Sequence, residues 1–274
     1  MNQTARWSGT AGQAWIDAQA MLDELFRPFE DLLVAEVAGL GAGRVLDVGC
    51  GTGATTVAIA RRTGTGGCVG VDIAEPMVAA ARARAARDGV RVTFVHADAQ
   101  EHAFPAAGFD AVVSRFGVMF FTDPVRAFAN LRRAAVPGAA LRAVVWRDAA
   151  QNPFMTTAER AAAPLLPDLP ARRPDEPGQF GFAAPARVRA VLSGAGWTGA
   201  RLRPVDVACV LPGRDLEHYF TRLGPLGLVL GRADAATRAR VVDTVRAAFD
   251  PYVHGDEVRF TAACWQVDAE APAG

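Results

Sequence analysis

The sequence predicts an α/β fold built on a mostly parallel sheet, and three observations carry that prediction. Val45-Leu46-Asp47-Val48 is a short apolar run that ends in the turn Gly49-Cys50-Gly51-Thr52-Gly53, with a helix starting near Thr55 and Thr56. Glycines suit such a turn because they accept positive φ and let a ligand touch bare backbone. A second apolar run, Cys68-Val69-Gly70-Val71-Asp72-Ile73, ends in an acid 19 residues beyond Gly53. The strand–helix alternation then continues as far as Trp146, which is the rhythm of βαβ units.

Composition narrows the functional classes. The 274 residues are 51% hydrophobic and 21% charged, enough for a large core with no disorder beyond the ends. Net charge is zero, so no electrostatic footprint points to nucleic acid or an anionic membrane. All 29 basic residues are arginine, and the absence of lysine excludes Schiff-base chemistry and a P-loop lysine. Cys50, Cys68, Cys209 and Cys264 show no paired spacing, so neither a zinc site nor a disulfide framework is expected. With no signal-like N-terminus and no apolar run near ~18–20 residues, a soluble, cytoplasmic protein is expected. The sequence allows a homodimer without arguing for one.

Taken in order, residues 1–40 form a helical segment. Leu22, Leu25, Phe26, Phe29, Leu32, Leu33 and Val37 recur at helical spacing, Pro28 divides two helices, and Gly39-Leu40-Gly41 ends the second. Trp7 and Trp15 are candidates for a lid lining a substrate pocket. A core at 41–148 follows. Its first helix runs to about Arg62, Pro76 opens a second to Arg87, and Val90 to Ala97 is a third strand ending at Asp98-Ala99. Phe109 to Ser114 is the fourth strand, and Ser114, Arg115 and Phe116 stand at its carboxyl end, where ligands bind in open α/β sheets. Gly117 to Phe121 is too apolar for a free loop, so Phe116, Met119 and Phe120 are candidates for the wall of an apolar substrate cavity. Asp123-Pro124 caps a helix to Ala134, and Ala140 to Trp146 is the fifth strand, with Trp146 on the same substrate side.

Beyond Arg147 the rhythm fails. A proline-crowded insertion at 149–185 carries a helical piece near Thr156 to Ala163. The core resumes at 186–211 with a helix and a strand. A second insertion at 212–256 carries two helical runs parted by Gly224-Pro225, and 257–274 holds the last strand and tail.

The turn itself selects the ligand. A dinucleotide fingerprint has its third glycine three residues after the second, whereas here the spacing is G-x-G-x-G with Asp47 before it. A carboxylate there would repel a pyrophosphate but suits a cationic ammonium and ribose hydroxyls. Leu46-Asp47-Val48-Gly49-Cys50-Gly51-Thr52-Gly53 resembles motif I of the class I S-adenosylmethionine (SAM) methyltransferases. The stretch from Asn130 to Pro137-Gly138 is similar to the turn of small-molecule members, including the ubiquinone/menaquinone-biosynthesis group, with Ala139 replacing a second glycine. The resemblance is specific over 41–148 and looser over 186–211 and 257–268. It implies a Rossmann-like, seven-stranded sheet whose last strand lies antiparallel between the fifth and sixth, under partly helical caps. It also implies SAM as cofactor, with Asp47, Gly49, Cys50, Gly51, Gly53, Asp72, Ile73, Met77, Asp98, Ala99 and Ser114 around it. Asp72 is placed for the ribose hydroxyls and Asp98-Ala99 for the adenine edge.

Methyl transfer needs orientation more than a specific side chain, so candidates for proton transfer are few. His218 and Tyr219 lie in the second insertion, and Arg147 follows the fifth strand; these are the candidate catalytic residues. No carboxylate/histidine cluster suggests a metal. The function expected is transfer of a methyl group from SAM to oxygen, carbon or nitrogen of a small apolar or aromatic metabolite, of natural-product or quinone type. Two alternatives stand: a SAM-binding protein that catalyses another reaction such as a cyclisation, and, less favoured, an NAD(P)-dependent oxidoreductase.

Overall fold

The computed structural model describes residues 3–64, 67–173 and 176–273. Its strands are β1 (Arg44–Val48), β2 (Gly67–Asp72), β3 (Thr93–His96), β4 (Phe109–Arg115), β5 (Ala135–Trp146), β6 (Thr198–Pro212), β7 (Val253–His254) and β8 (Glu257–Glu270). They form one sheet in the order β3-β2-β1-β4-β5-β8-β6, with β7 pairing β8. β1 to β5 pair in parallel, and β8 runs antiparallel between β5 and β6. Val45, Leu46 and Val48 of β1 are all buried, as expected for a central strand covered on both faces. Strand order reverses between β1 and β4. The crevice at their carboxyl ends is therefore the place where an open α/β sheet binds its ligand.

Helices position that crevice. α1 (Gln3–Trp7), α2 (Thr10–Asp17), α3 (Gln19–Leu25) and α4 (Arg27–Leu40) precede the sheet. α4 buries Phe29, Leu33 and Val37 at four-residue spacing on one stripe, and Gly41 ends it in the left-handed region. α5 (Ala54–Thr63), α6 (Glu75–Arg87) and α7 (Pro124–Ala134) are the crossovers. Asp123 caps α7 by accepting from Arg126 N at 3.0 Å. Asp110, at the start of β4, accepts from Gly43 N and Arg44 N at 3.1 and 2.8 Å, fastening the entrance of β1.

The cap is made of α8 (Pro153–Ala162), α10 (Leu216–Arg222), α11 (Gly224–Val229) and α12 (Ala235–Ala248), while α9 (Pro185–Gly194) packs on α7. Aromatic stacking joins cap to sheet where Phe154 lies on Phe260 of β8 at 3.7 Å, and joins α10 to the end of α12 where Phe220 lies on Phe249 at 5.8 Å. The buried Asn152 amide exchanges two 2.9 Å hydrogen bonds with the Ala263 backbone, fixing the entry to α8.

Several boundaries differ from the sequence expectation. β3 spans four residues rather than eight, since only these pair with β2. β5 begins at Ala135 instead of Ala140: Ala135 pairs with Phe109, and the register then shifts, with Gly138 at φ 78°, before Ala140 pairs with Ala111. The second insertion carries three α-helices and the two-residue β7, not two helices. Its break falls at Leu223, since Pro225 sits in the first turn of α11 and opens that helix rather than separating two. The sheet thus has an eighth, minimal strand.

Candidate functional site

The glycine turn is held by its neighbours. Gly49 N and Cys50 N both donate to Val71 O, at 2.9 and 3.1 Å, which carries the loop across to β2. Gly51 N donates to Asp72 Oδ2 at 2.9 Å, and Ala74 N donates to Asp72 Oδ1 at the same distance. Gly49 takes φ 67° and lies backbone to backbone with Gly117: a Cβ added at Gly49 would stand 2.7 Å from Gly117 Cα. A Cβ on Gly117 would stand 2.5 Å from Val48 O. We expect Gly117→Ala to lower stability by on the order of 1–2 kcal/mol, since neither backbone can retreat. Urea unfolding checks this, and an unchanged midpoint would remove the close-approach argument.

At the end of β4 the chain turns through Phe116, a non-glycine residue with φ 63°. Such a conformation costs on the order of 1–3 kcal/mol and persists only where surroundings enforce it. Here Phe116 stacks on Trp146 at 4.6 Å and 10°, with Phe26 and Phe29 edge-on. Trp7 meets Trp15 and Phe120 edge-on at 5.9 and 5.1 Å.

These groups enclose one cavity of about 270 Å³. Gly49, Gly51, Asp72, Ile73, Met77, Asp98 and Ala99 line its sheet edge. Trp7, Trp15, Phe116, Met119, Phe120 and Trp146 form its aromatic wall. A side chamber shares Trp15, Gly49, Gly51 and Arg115 with it and adds Asp47, Cys50, Asp23 and Thr55. Asp47 is 2% exposed and accepts from Thr56 Oγ1 at 2.6 Å. Burial pushes its carboxyl up to about 6, against the pull of the Thr56 hydroxyl and of Arg115. Burial likewise raises the Asp72 carboxyl, opposed by the Ala74 and Gly51 amides, and pushes the Cys50 thiol well up, so that thiol stays protonated.

Some expected site residues lie elsewhere. Ser114 is fully buried and does not line the cavity; it donates to Val48 O at 2.8 Å and accepts from Gly117 N at 3.1 Å, pinning β4 to β1. Gly53 lies behind the turn as the cap of α5, where a Cβ would stand 2.8 Å from Ala81 and Phe94. Arg147 is turned away from the cavity by strand alternation, since its neighbour Trp146 faces in. It pairs with Asp206 at 2.9 Å and lies over the Trp265 ring. His218 is exposed: Leu216 and Phe220 bury the opposite face of α10. Tyr219 does line the cavity and donates to Met155 Sδ at 3.3 Å. Burial pushes its phenol far up, so it is a hydrogen-bond donor and no base. Among the described residues no histidine lines the cavity. We therefore expect His218→Ala to leave both ligand affinity and turnover within about twofold of the parent. A tenfold loss of turnover alone would restore it as a base.

Sequence reasoning placed Arg115 at the ligand-binding end of the fourth strand without giving it a contact, and assigned no role to Gly117, Glu159, Arg172 or Gln179. Arg115 lines both chambers, and burial lowers its pKa against the opposing pull of Glu30, Asp23 and Asp47. Its position, a cation at a parallel strand's carboxyl end beside an acidic turn, was the usable signal.

Comparison with known proteins gives a consistent result. A family model described as a methyltransferase domain matches residues 45–138. The aklanonic acid methyltransferase DauC of Streptomyces sp. (strain C5) is 40% identical over 109 residues, 39% of this chain and 50% of that protein. The demethylmenaquinone methyltransferase of Thermus thermophilus is 40% identical over 98 residues, 36% of this chain and 44% of that one. The chain thus spans half or less of the length of these curated relatives. The YcgJ protein from Bacillus subtilis has a TM-score of 0.58 at 18% identity, covering 89% of this chain and 98% of its own, which shows a common fold.

Proposed function

We propose, from the match of residues 45–138 to a methyltransferase-domain model, that the chain is a class I SAM-dependent methyltransferase transferring a methyl group to a small molecule with an apolar, ring-containing body. One observation carries the reading: the glycine turn, Asp72 and Asp98 line the same cavity as the aromatic wall of Trp7, Trp15, Phe116, Phe120 and Trp146. The names of both relatives denote methylation of a small molecule, which supports the same class.

The residues present fit SAM. The side chamber holds an acid, Asp47, a half-buried cation, Arg115, and the Thr55 hydroxyl, which is buried with no hydrogen-bond partner among the described residues. That set complements a zwitterionic amino-acid end, with Asp47 for its ammonium and Arg115 for its carboxylate. Asp72 would hold the ribose hydroxyls, Asp98 and the Ala99 amide the adenine edge, and Ile73 and Met77 its faces. When bound, SAM supplies a methyl group on a positively charged sulfur. The chain's own contribution is orientation and exclusion of water. Holding a nucleophile at attack distance accounts for about 7–11 kcal/mol of barrier in favourable cases. With no histidine on the cavity wall, an acidic oxygen or activated carbon is the target that needs least help with its proton.

The test is calorimetric titration with SAM, S-adenosylhomocysteine and NAD in parallel. Binding of the two adenosyl ligands alone is expected. Preferential binding of NAD, or of nothing, would reject the proposal.

A further inference from the structure

The cap wall of the cavity is not uniformly apolar. Glu159 of α8 takes Arg172 Nε on both carboxylate oxygens, at 2.6 and 2.7 Å, and Arg172 Nη1 donates to Gln179 Oε1 at 2.7 Å. The guanidinium also lies over the Phe180 ring at 5.2 Å. Glu159 and Arg172 side chains are only 15% and 25% exposed. All three residues line the cavity, together with Tyr219. Arg172 and Glu159 both act electrostatically on the Tyr219 phenol, which places the four groups in one neighbourhood.

A pair this far from water gains little stability over an apolar replacement, because desolvation offsets attraction. Core packing therefore does not call for it. The hydrogen-bonding inventory shows what it offers instead. Among the described residues no protein group takes the remaining Arg172 Nη2 hydrogens or the Gln179 amide hydrogens. Tyr219 donates only to a thioether sulfur, a weak acceptor that a better one displaces. The group thus presents donors, and Glu159 already cancels the charge of Arg172.

We infer that Glu159, Arg172, Gln179 and Tyr219 form a recognition site for a neutral carbonyl oxygen, of ketone or quinone type, on the ring body of the substrate. The inference rests on the proposed function in taking the cavity as a substrate site. A carboxylate is disfavoured, because it would meet the Glu159 charge with Arg172 already compensated. An amine is disfavoured because Arg172 already occupies the charge of Glu159, and the free hydrogens of Arg172, Gln179 and Tyr219 are donors that an ammonium cannot accept. Arg222 also reaches the lining, but it is exposed and its charge is screened by solvent.

The experiment is calorimetry of the full chain, with and without saturating S-adenosylhomocysteine, against three matched probes: 2-acetylnaphthalene, 2-isopropenylnaphthalene and 2-naphthoate. The ketone is expected to bind at least fivefold tighter than either of the others. Tyr219→Phe should cut that preference about threefold or more and leave 2-isopropenylnaphthalene binding unchanged. Glu159→Gln should reverse the order by favouring 2-naphthoate. Equal binding of the three, no binding of the ketone, or preference of the parent protein for the carboxylate would overturn the inference. Failure of S-adenosylhomocysteine to bind would instead count against the methyltransferase reading, since the probe series is read in its absence too.

Discussion

Asp72→Ala is expected to weaken SAM binding by tenfold to a hundredfold while the chain remains folded. Each Asp72 oxygen already accepts one backbone N–H, from Gly51 or Ala74, at 2.9 Å. A carboxylate oxygen has a second acceptor site, and Asp72 lines the cavity. Bonds from ribose hydroxyls to a charged acceptor contribute about 1.5–3 kcal/mol each, which sets the range. The substitution also leaves the Gly51 amide without its acceptor, so the glycine turn loosens as the ligand contact is lost. Asp72→Asn separates the two effects, because its single carbonyl oxygen retains one backbone bond and loses the charge. Calorimetry measures affinity, and circular dichroism with thermal unfolding reports the fold. Unchanged affinity in the alanine variant would remove Asp72 from the ligand.

The contrast between Asp72 and Arg172 shows what a sequence can and cannot display. Asp72 was legible because it ends a buried strand at a fixed distance from a glycine turn, and every constraint on it is local to one βαβ unit. The helices to Ala134 were legible for the same reason, with Asp123, Pro76 and Gly41 marking their ends. Arg172 lies in a segment crowded with prolines, where no period exists, and its partner Glu159 stands on a helix 13 residues earlier. Nothing in the chain between them announces the pair. His218 and Arg147 fail for a different reason. Residue type suggested chemistry, but direction decides, and both directions are set by neighbours: Leu216 and Phe220 turn His218 outward, and Trp146 turns Arg147 to the other face. The lengths of β6 and β8 likewise depend on each other, since the two strands pair from Thr198 with Glu270 to Pro212 with Glu257.

Asp47→Asn is expected to stabilise the ligand-free chain and to weaken SAM binding at the same time. Burial holds the Asp47 carboxyl at about 6, whereas an unfolded aspartate titrates near ~3.9. Between these values the folded chain keeps a proton that the unfolded chain has released. The Asp47 contribution to stability is therefore fullest below about pH 4 and is lost as pH rises through about 6, a cost of about 3 kcal/mol at neutral pH. Asp72, raised by burial, acts in the same sense. Asparagine carries no charge to desolvate and can still accept from Thr56, so the decline between pH 4 and 6 should flatten, as urea unfolding across that range would record. For the ligand the sign reverses. An ammonium paired with Asp47 favours the ionised carboxylate, so affinity should fall as pH drops through about 6 and be lower by tenfold or more in the variant. A variant that gained stability but kept full, pH-dependent affinity would show that the buried charge serves something other than the amino-acid end of SAM. If instead the stability profile stayed unchanged, Asp47 would titrate alike in the folded and unfolded chain, and the cost assigned to burying its charge would have to be abandoned.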